Sequence, residues 1–274
     1  MMRHPSTVRN IELLRSYGNH IIEPAEGELA SGLHGKGRMA EPAEIAAYVN
    51  ALLAESSEKK KSLQGRHYVV TAGATIEAID PVRFLSNHSS GKMGYAIAGE
   101  LARRGASVTL VSGRTALDCP AGVERIDVLS AAEMYDATVA AFARADGAVL
   151  CAAVADYTPA EVADRKLKKG DGELTLVLKR TRDIAAALGA VKGTRMLVGF
   201  ALETHDEAEH AREKLQRKRF DFIVLNSLRD AGAGFRGDTN KVSFIDAEGC
   251  ETLPLLSKRE VAERIVDRIE KQHR

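Results

Sequence analysis

The chain has 274 residues, of which 45% are hydrophobic and 28% are charged. This size and composition fit one or two globular domains with a buried core. Lysine and arginine total 39 against 38 aspartate and glutamate residues, so net charge gives no signal for nucleic acid or membrane binding. No apolar run approaches the roughly 18 residues of a membrane span, and the N-terminus lacks the apolar core of a signal peptide.

The three cysteines, Cys119, Cys151 and Cys250, are scattered along the chain. None has the spacing of zinc ligands, so we expect no structural metal. An odd number of dispersed thiols is typical of a reducing compartment, which predicts a cytoplasmic protein.

The first part of the chain predicts two helices, over 6–16 and 42–53, with a short strand candidate at Ile21–Ile22. Residues 26–39 contain four glycines and are predicted to form a loop. A polar, lysine-rich run then predicts a linker over 56–65. Since about 55 residues are few for an independent core, we expect this part to dock elsewhere or to be partly loose.

After the linker, strands and helices alternate. Predicted strands cover 68–71, 107–111, 147–151, 196–200 and 222–225, and predicted helices cover 94–103, 131–143, 183–188, 206–219 and 257–270. Alternating leucines suggest a small antiparallel excursion over 166–179, and 242–245 with 251–255 suggest a hairpin. The alternation predicts an α/β fold, a Rossmann-like and mostly parallel sheet with helices on both faces.

The first candidate site is the turn after the first of these strands. That strand ends at Gly73, and the polar run Ser86–Ser90 follows farther along the chain. We expect Ser89, Ser90 and Gly91 to cap the next helix. Because a helix N-terminus beside a strand end leaves N–H groups pointing into a crevice, this turn is a candidate phosphate site. An ordinary turn before a helix is the alternative.

Other nucleotide-binding patterns fit this crevice poorly. No Gly-x-Gly-x-x-Gly follows the first strand, and the second strand ends at Val111-Ser-Gly-Arg114 without an acidic residue for a ribose. Gly91-Lys92 resembles half of a P-loop but lacks the upstream glycine and the following serine or threonine. The sequence has no Tyr-x-x-x-Lys pair, which disfavours a short-chain reductase.

A second group of residues, Ala152–Asp156, follows the third strand and should reach the same edge of the sheet. Its small side chains would let a ligand approach the backbone, and Asp156 could bind a metal ion or a nucleotide hydroxyl. Simple packing of these alanines against a helix is the alternative.

A third group is cationic and comprises Lys166, Lys168 and Lys169, followed by Lys214 and Lys218. The last two are four residues apart on a predicted helix and so share a face. Lysine ammonium groups suit a triphosphate. The alternative, a solvated charged surface, is our interpretation of Lys169 and of two arginines, Arg217 and Arg219.

Together these segments resemble the bacterial phosphopantothenoylcysteine synthetase family of coenzyme A biosynthesis, from about Tyr68 to the C-terminus. The resemblance rests on Thr71-Ala-Gly73, Asp80–Gly94, Ala152–Tyr157, Lys166–Lys169, Asp183-Ile184, Val198–Ala201, Glu203-Thr204 and Asn226. The Lys166-x-Lys-Lys form is similar to the CTP-using bacterial type.

The resemblance implies a two-step ligation. The carboxylate of 4′-phosphopantothenate would attack the α-phosphate of CTP, releasing pyrophosphate, and the amine of cysteine would then attack the acyl-cytidylate, releasing CMP. Asn87 would hold the acyl intermediate, and Lys166 would serve both the triphosphate and the cysteine step. Mg²⁺, bound mainly through the triphosphate, would assist.

The resemblance also implies two sets of binding residues. For CTP they are Cys151, Ala152, Ala153, Asp156, Lys166, Thr181, Arg182, Asp183, Ile184, Phe200, Lys214 and Lys218. For 4′-phosphopantothenate they are Gly73, Ser86, Asn87, Ser89, Ser90 and Gly91. A homodimer is implied as well, with its contact in 166–178 or in the 242–255 hairpin. The alternative function is a non-catalytic module that binds nucleotide or flavin as a partner or regulator.

Residues 1–55 resemble the tail of phosphopantothenoylcysteine decarboxylase, a flavoprotein that is often fused ahead of the synthetase in bacteria. The similar segments are Pro5–Asn10, Pro24–Gly32 and Gly37–Met39. Ser31 stands where that family has a cysteine, and serine is a far poorer proton donor. With no flavin-binding portion, the chain is expected to bind no FMN and to catalyse no decarboxylation, and residues 66–274 would form the ligase domain. A fragment of the fused protein and a synthetase with a relic both remain open.

Overall fold

The structure, a computed structural model, describes residues 4–28, 34–59, 62–169, 173–203, 207–227 and 237–272. The chain divides into two compact units, residues 1–60 and 61–274, and the division falls within the predicted linker. Within the described ranges, every helix is too short or too polar to cross a membrane.

The smaller unit has two helices and a hairpin: α1 (Pro5–Ser16), β1 (Ala25–Glu28), β2 (His34–Arg38) and α2 (Pro42–Lys59). The strands pair antiparallel with Gly27 opposite Gly35, so the loop predicted over 26–39 is wrong for residues 26–28 and 34–38, and its middle lies outside the described residues. Strands pair through backbone hydrogen bonds, which need no side chain. A high glycine content therefore does not exclude a strand here. Ile21–Ile22 lies outside any strand, and Ser31 falls outside the described residues. The second helix continues to Lys59 because the polar run contains good helix formers, glutamate and lysine.

The larger unit contains the remaining elements. They are β3 (His67–Ala72), β4 (Ile76–Ala78), β5 (Phe84–Ser86), α3 (Lys92–Arg103), β6 (Ser107–Ser112), β7 (Val123–Asp127), α4 (Ala131–Phe142), β8 (Gly147–Leu150), β9 (Tyr157–Pro159), β10 (Leu178–Arg180), α5 (Ile184–Val191), β11 (Met196–Glu203), α6 (Glu207–Lys218), β12 (Phe222–Ser227), β13 (Thr239–Asn240), β14 (Val242–Ile245), β15 (Cys250–Thr252), β16 (Leu256–Ser257) and α7 (Lys258–Gln272).

An eight-stranded sheet organises this unit, in the order β15-β14-β12-β11-β8-β3-β6-β7. Six neighbouring strands of this sheet are parallel, namely β12, β11, β8, β3, β6 and β7. At the β12 edge, β14 and β15 add antiparallel neighbours. Numbered along the chain, the six parallel strands lie in the order 3-2-1-4-5-6, which is that of the Rossmann fold. The prediction of a Rossmann-like, mostly parallel sheet is confirmed.

Helices cover both faces of the sheet, as predicted. Val70 and Ala72 of β3 belong to the core beneath α3 and α7, whereas Val69 belongs to the core beneath α4, α5 and α6. A strand that is buried on both sides is apolar throughout, which explains why these strands were predicted well.

Strands with one exposed face were predicted less well. The edge strand β7 was missed because Glu124, Arg125 and Asp127 break its apolar pattern, and the β4–β5 hairpin was missed inside the polar motif. Among the described residues of the excursion, 166–169 and 173–179, only Leu178 and Lys179 are in a strand, β10, which pairs antiparallel with β9. The predicted hairpin over 242–255 is confirmed as β14 and β15.

Candidate functional site

The centre of the sheet, where β3 and β8 lie side by side, is the point at which the strand order reverses. Such a switch point opens a crevice at the carboxyl ends of the strands, where α/β sheets bind ligands. Here the two exit loops continue together beyond the sheet. The Ala153 N–H donates to the Gly73 carbonyl at 2.8 Å, and the Thr75 N–H donates to the Ala153 carbonyl at 3.3 Å. The loops therefore form one rim.

Gly73 is required by the backbone of this rim. Its φ is +77°, and a Cβ there would lie 2.9 Å from the carbonyl oxygen of Gly113. Neither Gly73 nor Ser86 is among the residues that line the two cavities described below, although both were predicted to bind substrate. Ser86 instead donates its hydroxyl to the Thr75 carbonyl at 2.8 Å. Both residues shape the rim.

One cavity, of about 530 Å³, opens on the α5–α6 side of the rim. It is lined by Thr71, Leu150, Ala152, Val154, Asp156, Tyr157, Arg180, Thr181, Arg182, Asp183, Ile184, Ala185, Phe200, Lys214, Lys218 and Phe220. Four of these side chains are cationic and two are carboxylates, so the formal charge of the lining is positive. We call it the first cavity.

Lys214 and Lys218 are held in place within the first cavity. The Lys214 ammonium donates to the Phe200 carbonyl at 2.9 Å, and Lys218 forms an ion pair with Asp183. Asp183 also caps α5 by accepting the Ala186 N–H at 3.0 Å. Burial alone would raise the pKa of Asp183, but the bonds from Lys218 and Ala186 outweigh it and hold this pKa below its usual value.

Arg182 is a less available cation than sequence suggests. Its guanidinium lies 2.7 Å from the Asp136 carboxylate and stacks 4.0 Å from the centre of the Tyr135 ring, both on α4. Its guanidinium is therefore held against α4, just as the Lys218 ammonium is held by Asp183, whereas the Lys214 ammonium donates to a neutral carbonyl.

A second cavity, of about 450 Å³, lies on the other side of the rim. It is lined by Asn87, His88, Ser89, Ser90, Gly91, Lys92, Met93, Gly94, Cys151, Ala152, Ala153, Asp156, Phe200, Ala201, Asn226, Asn240 and Lys258. Cys151 and Ala153, predicted to contact CTP, line only this cavity. Burial raises the pKa of the Cys151 thiol to about 12, against the opposing effect of Lys258, so this thiol is neutral and packs as a small apolar group.

The N-terminus of α3 opens into the second cavity. Its N-cap is Gly91, with φ 80°, and no side chain among the described residues caps it. The prediction that Ser89 and Ser90 cap the helix is wrong, because Ser89 accepts the Gly91 N–H at 3.3 Å, one position too early. The N–H groups of a helix's first turn point out of the helix toward its N-terminal end, which favours an anion there and supports the predicted phosphate site.

Ala152, Asp156 and Phe200 line both cavities and form a shared wall. Asn87 lies next to this wall, because its side-chain amide donates at 3.2 Å to the carbonyl of Ala153, the chain neighbour of Ala152. Two distant segments, which carry Asn87 and Asp156, are thus brought to one cavity, as the sequence predicted.

Lys166 lies elsewhere. It is exposed and is not among the residues lining either cavity. Its neighbour Leu167 is fixed by Asp80, which accepts the Leu167 N–H at 3.1 Å, and by Arg83, which donates to the Leu167 carbonyl at 2.6 Å. Burial would raise the pKa of Asp80, but hydrogen bonds from Val82, Arg83 and Leu167 hold it well below its usual range. The segment carrying Lys166 is therefore anchored to the β4–β5 hairpin.

Sequence reasoning missed part of the second cavity. Asn226 is part of the family resemblance but was given no role in the site. It follows the apolar residues of β12, and the rule that polar residues at the carboxyl ends of parallel strands gather would have assigned it there. Asn240 and Lys258 come from β13 and the start of α7, and no such rule places them.

The described residues could hold a divalent ion only together with a bound phosphate, which would supply most of its ligands. They contain no group of three or more histidine, cysteine, aspartate or glutamate residues that could hold a metal. Asp156, on the shared wall, could supply one oxygen. Mg²⁺ commonly takes one or two carboxylates together with substrate phosphates, and the arrangement is compatible with that mode.

The strand order and the paired cavities define an α/β domain with Rossmann strand order and two cavities at its switch point. Residues 63–273 match the family described as "DNA/pantothenate metabolism flavoprotein C-terminal domain", and the chain belongs to this family. The family resemblance inferred from the motifs is confirmed.

Two curated relatives and two solved structures illustrate the similarity. "Coenzyme A biosynthesis bifunctional protein CoaBC" of Bacillus subtilis (strain 168) is 47% identical over 271 residues, which cover 98% of this chain and 66% of that protein. A protein from an unknown prokaryotic organism, named "Cysteine/Cysteine sulfinic acid decarboxylase", is 52% identical over 272 residues, which cover 98% of this chain and 76% of that protein.

Among solved structures, the C-terminal domain of a CoaBC protein has a TM-score of 0.66 and 41% identity, over 77% of this chain and 97% of that one. A variant of Cab2 in complex with phosphopantothenate-cysteine has a TM-score of 0.61 over 85% of this chain and 96% of that one. At 16% identity, the second similarity concerns the fold alone. The chain spans about two thirds of the length of the CoaBC relative from B. subtilis.

Proposed function

We propose that this chain is a phosphopantothenate–cysteine ligase that uses CTP. The observation that carries the proposal is the shared wall of Ala152, Asp156 and Phe200 between a cationic cavity and a second cavity at a helix N-terminus. A nucleotide in the first cavity and an acyl substrate in the second would meet across this wall, as the transfer of a nucleotidyl group to a carboxylate requires.

In the first step, a carboxylate oxygen of 4′-phosphopantothenate forms a bond to the α-phosphorus of CTP as the bond to pyrophosphate breaks. Both reactants are anions, so the step needs positive charge and positioning more than covalent help. Lys214 and Lys218 supply fixed charge in the first cavity. Mg²⁺ bound to the triphosphate would neutralise further charge.

In the second step, the amine nitrogen of cysteine bonds to the activated acyl carbon, CMP leaves, and the amine loses a proton. Asn87 lies at the rim beside the shared wall, where its amide could donate to the acyl group. A donor fixed at that point would orient the carbonyl for attack and stabilise the charge that develops on it.

A role for Lys166 requires a second copy of the chain or movement of its segment, since it lies outside both cavities. We propose a homodimer. In support, the hairpin that anchors the Lys166 segment carries the apolar side chains of Val82 and Phe84, which are 58% and 51% exposed. A second copy docked on this face would cover them and could bring Lys166 to the site of its partner.

The proposal is tested by coupled assay of pyrophosphate release with CTP or ATP, with and without cysteine, and by mass detection of the ligated product. We expect cysteine-dependent product and CMP with CTP. Nucleotide binding without turnover would instead favour the non-catalytic module. Because one relative is named a decarboxylase, CO₂ release from cysteine and from 4′-phosphopantothenoylcysteine is measured in parallel, and we expect none and no bound FMN. The cytoplasmic location of the protein stays a prediction from the sequence.

A further inference from the structure

Two buried side-chain amide oxygens at the second cavity lack a hydrogen-bond donor within the described part of the protein. The Oδ1 atoms of Asn226 and Asn240 are buried and have no hydrogen-bond partner among the described residues, and both residues line the cavity. Asn240 is 4% exposed, and its Nδ2 is turned to the Met93 sulfur at 3.8 Å. An unmet buried acceptor destabilises a fold, so its presence at a cavity calls for a ligand that donates.

The backbone fixes Asn240 in this position. β13 pairs antiparallel with β16, which places Asn240 opposite Leu256, and Asn226 pairs with Val242 where β14 joins β12. Next to β16, the buried Lys258 donates to the Gly237 carbonyl at 2.6 Å. This wall of the cavity is therefore built and held before any ligand arrives.

We propose that Asn240, together with Asn226, is a specificity-determining residue that accepts a hydrogen bond from the uncharged middle of the acyl substrate. The assignment rests on the proposed function. The phosphate and carboxylate ends of 4′-phosphopantothenate, when ionised, only accept hydrogen bonds, whereas its hydroxyl and amide N–H donate. Two buried acceptors without donors match that middle section and neither end.

The assignment also orients the substrate. The carboxylate lies at the shared wall beside Asn87, where the nucleotide is reached, and the phosphate lies toward the N-terminus of α3, where Lys92 and Lys258 line the same cavity. The hydroxyl and amide between these ends then face Asn240. A site that pairs buried acceptors with substrate donors rejects analogues that lack them far better than an apolar pocket can.

The test replaces Asn240 by leucine, a side chain of similar size without polar atoms. We expect Asn240→Leu to raise KM for 4′-phosphopantothenate by about tenfold or more, with KM for CTP and cysteine unchanged. Thermal stability should stay level or rise, because an unmet acceptor is removed. If this variant does not fold, Asn240→Ala, which adds no bulk, takes its place.

Thr138 provides the matched control. Its hydroxyl oxygen is also buried without a hydrogen-bond partner among the described residues, but it lies on α4 and lines neither cavity. Thr138→Val should leave every KM unchanged and stability level or higher. A 4′-phosphopantothenate analogue without the hydroxyl identifies the donor. If Asn240→Leu no longer distinguishes 4′-phosphopantothenate from this analogue, the hydroxyl is the donor to Asn240. If it binds both compounds more weakly but still distinguishes them, the amide N–H is the donor.

Calorimetric binding of 4′-phosphopantothenate separates this inference from the proposed function. Asn240-dependent binding without ligation would reject the ligase and keep the inference. Ligation with an unchanged KM in Asn240→Leu would reject the inference alone. A uniform rise of all three KM values with a lower melting temperature would show a structural role and would also reject it.

Discussion

The side-chain amide of Asn87 donates to the backbone carbonyl of Ala153 across 3.2 Å, and so joins the loop before α3 to the loop after β8. The first loop follows the β4–β5 hairpin, which comes after β3, and the second follows β8; β3 and β8 are the strands that flank the switch point. A single hydrogen bond therefore places the proposed acyl contact against the wall that both cavities share.

Asn87→Asp should lower turnover by about 10²-fold or more, because it replaces a donor with a carboxylate that repels both the Ala153 carbonyl and the acyl substrate. Asn87 is exposed, so the melting temperature should stay close to that of the unchanged protein. Steady-state ligation and thermal unfolding measure the two effects. Asn50→Asp, on exposed α2, is the control. Near-normal turnover in Asn87→Asp would remove this residue from the mechanism.

Lys166→Gln should also lower turnover by about 10²-fold, whereas Lys169→Gln, at another exposed lysine of the same run, should have little effect. Ligation rates at saturating substrates provide the comparison. Equal, small effects in both variants would indicate a solvated surface and no role for Lys166.

A mixture of Asn87→Asp and Lys166→Gln chains tests where Lys166 acts. If it serves the site of a second copy, each mixed dimer contains one intact site, and random mixing restores about a quarter of normal activity. If it serves its own chain, both sites of the mixed dimer are defective and activity stays at the level of the single variants. The chains are mixed, dissociated and reassociated before assay.

Lys214→Met and Lys218→Met should each raise KM for CTP by about tenfold, since each removes a charge-assisted contact from the first cavity. KM for 4′-phosphopantothenate should not change, because neither lysine lines the second cavity. Arg217→Met, on the same helix but exposed, is the control. If the arginine variant matched the lysine variants, general charge would explain the binding and a specific site would not.

Arg104 joins α3 to α7 and should be essential for stability. It is 1% exposed, its Nε lies 2.7 Å from Glu100, and its Nη1 lies 2.8 Å from Asp267 and 2.9 Å from Glu270. Arg104→Met removes this partner from Asp267 and Glu270, leaves Glu100 with Arg103 alone, and should cost roughly 3–5 kcal/mol of unfolding free energy. Urea unfolding measures it, and a loss below about 1 kcal/mol would show that the ion cluster is dispensable.

The same cluster predicts a pH dependence. Burial raises the pKa of Glu100, but hydrogen bonds from Arg103 and Arg104 outweigh it and lower the pKa overall. Because the folded value lies below the unfolded value of about 4.3, the ionised carboxylate stabilises the fold above about pH 5, and this contribution is lost as pH falls through the folded value. The unfolding free energy of Glu100→Gln should therefore fall furthest below that of the unchanged protein at pH 7. This difference should narrow below about pH 4.

Urea unfolding at pH 7 and below about pH 4 measures this difference. Glu124→Gln, at an exposed residue, is the control, and its unfolding free energy should stay near that of the unchanged protein at both pH values. A gap for Glu100→Gln that widened on acidification would contradict the sign of the pKa shift.

The comparison of sequence and structure shows which physical signals are local. Strands β3, β6, β8, β11 and β12 were predictable because burial on both faces makes them apolar throughout. Asn87 and Asp156 were predictable as neighbours because their segments leave the parallel strands β3 and β8 at the same edge, Asn87 after the intervening β4–β5 hairpin. Local pattern could not place Asn240, since its position depends on the antiparallel register between β13 and β16. Nor could it show that Lys166 lies outside both cavities.

The two cavities depend differently on the C-terminal segment. All the residues lining the first cavity precede β12, whereas the second takes Asn240 and Lys258 from the elements that follow it. Local opening of this last segment would remove these two residues from the second cavity, the proposed acyl site, and no residue from the first cavity, the proposed nucleotide site. Under the proposed function, partial unfolding at the C-terminus would therefore weaken binding of the acyl substrate more than binding of CTP.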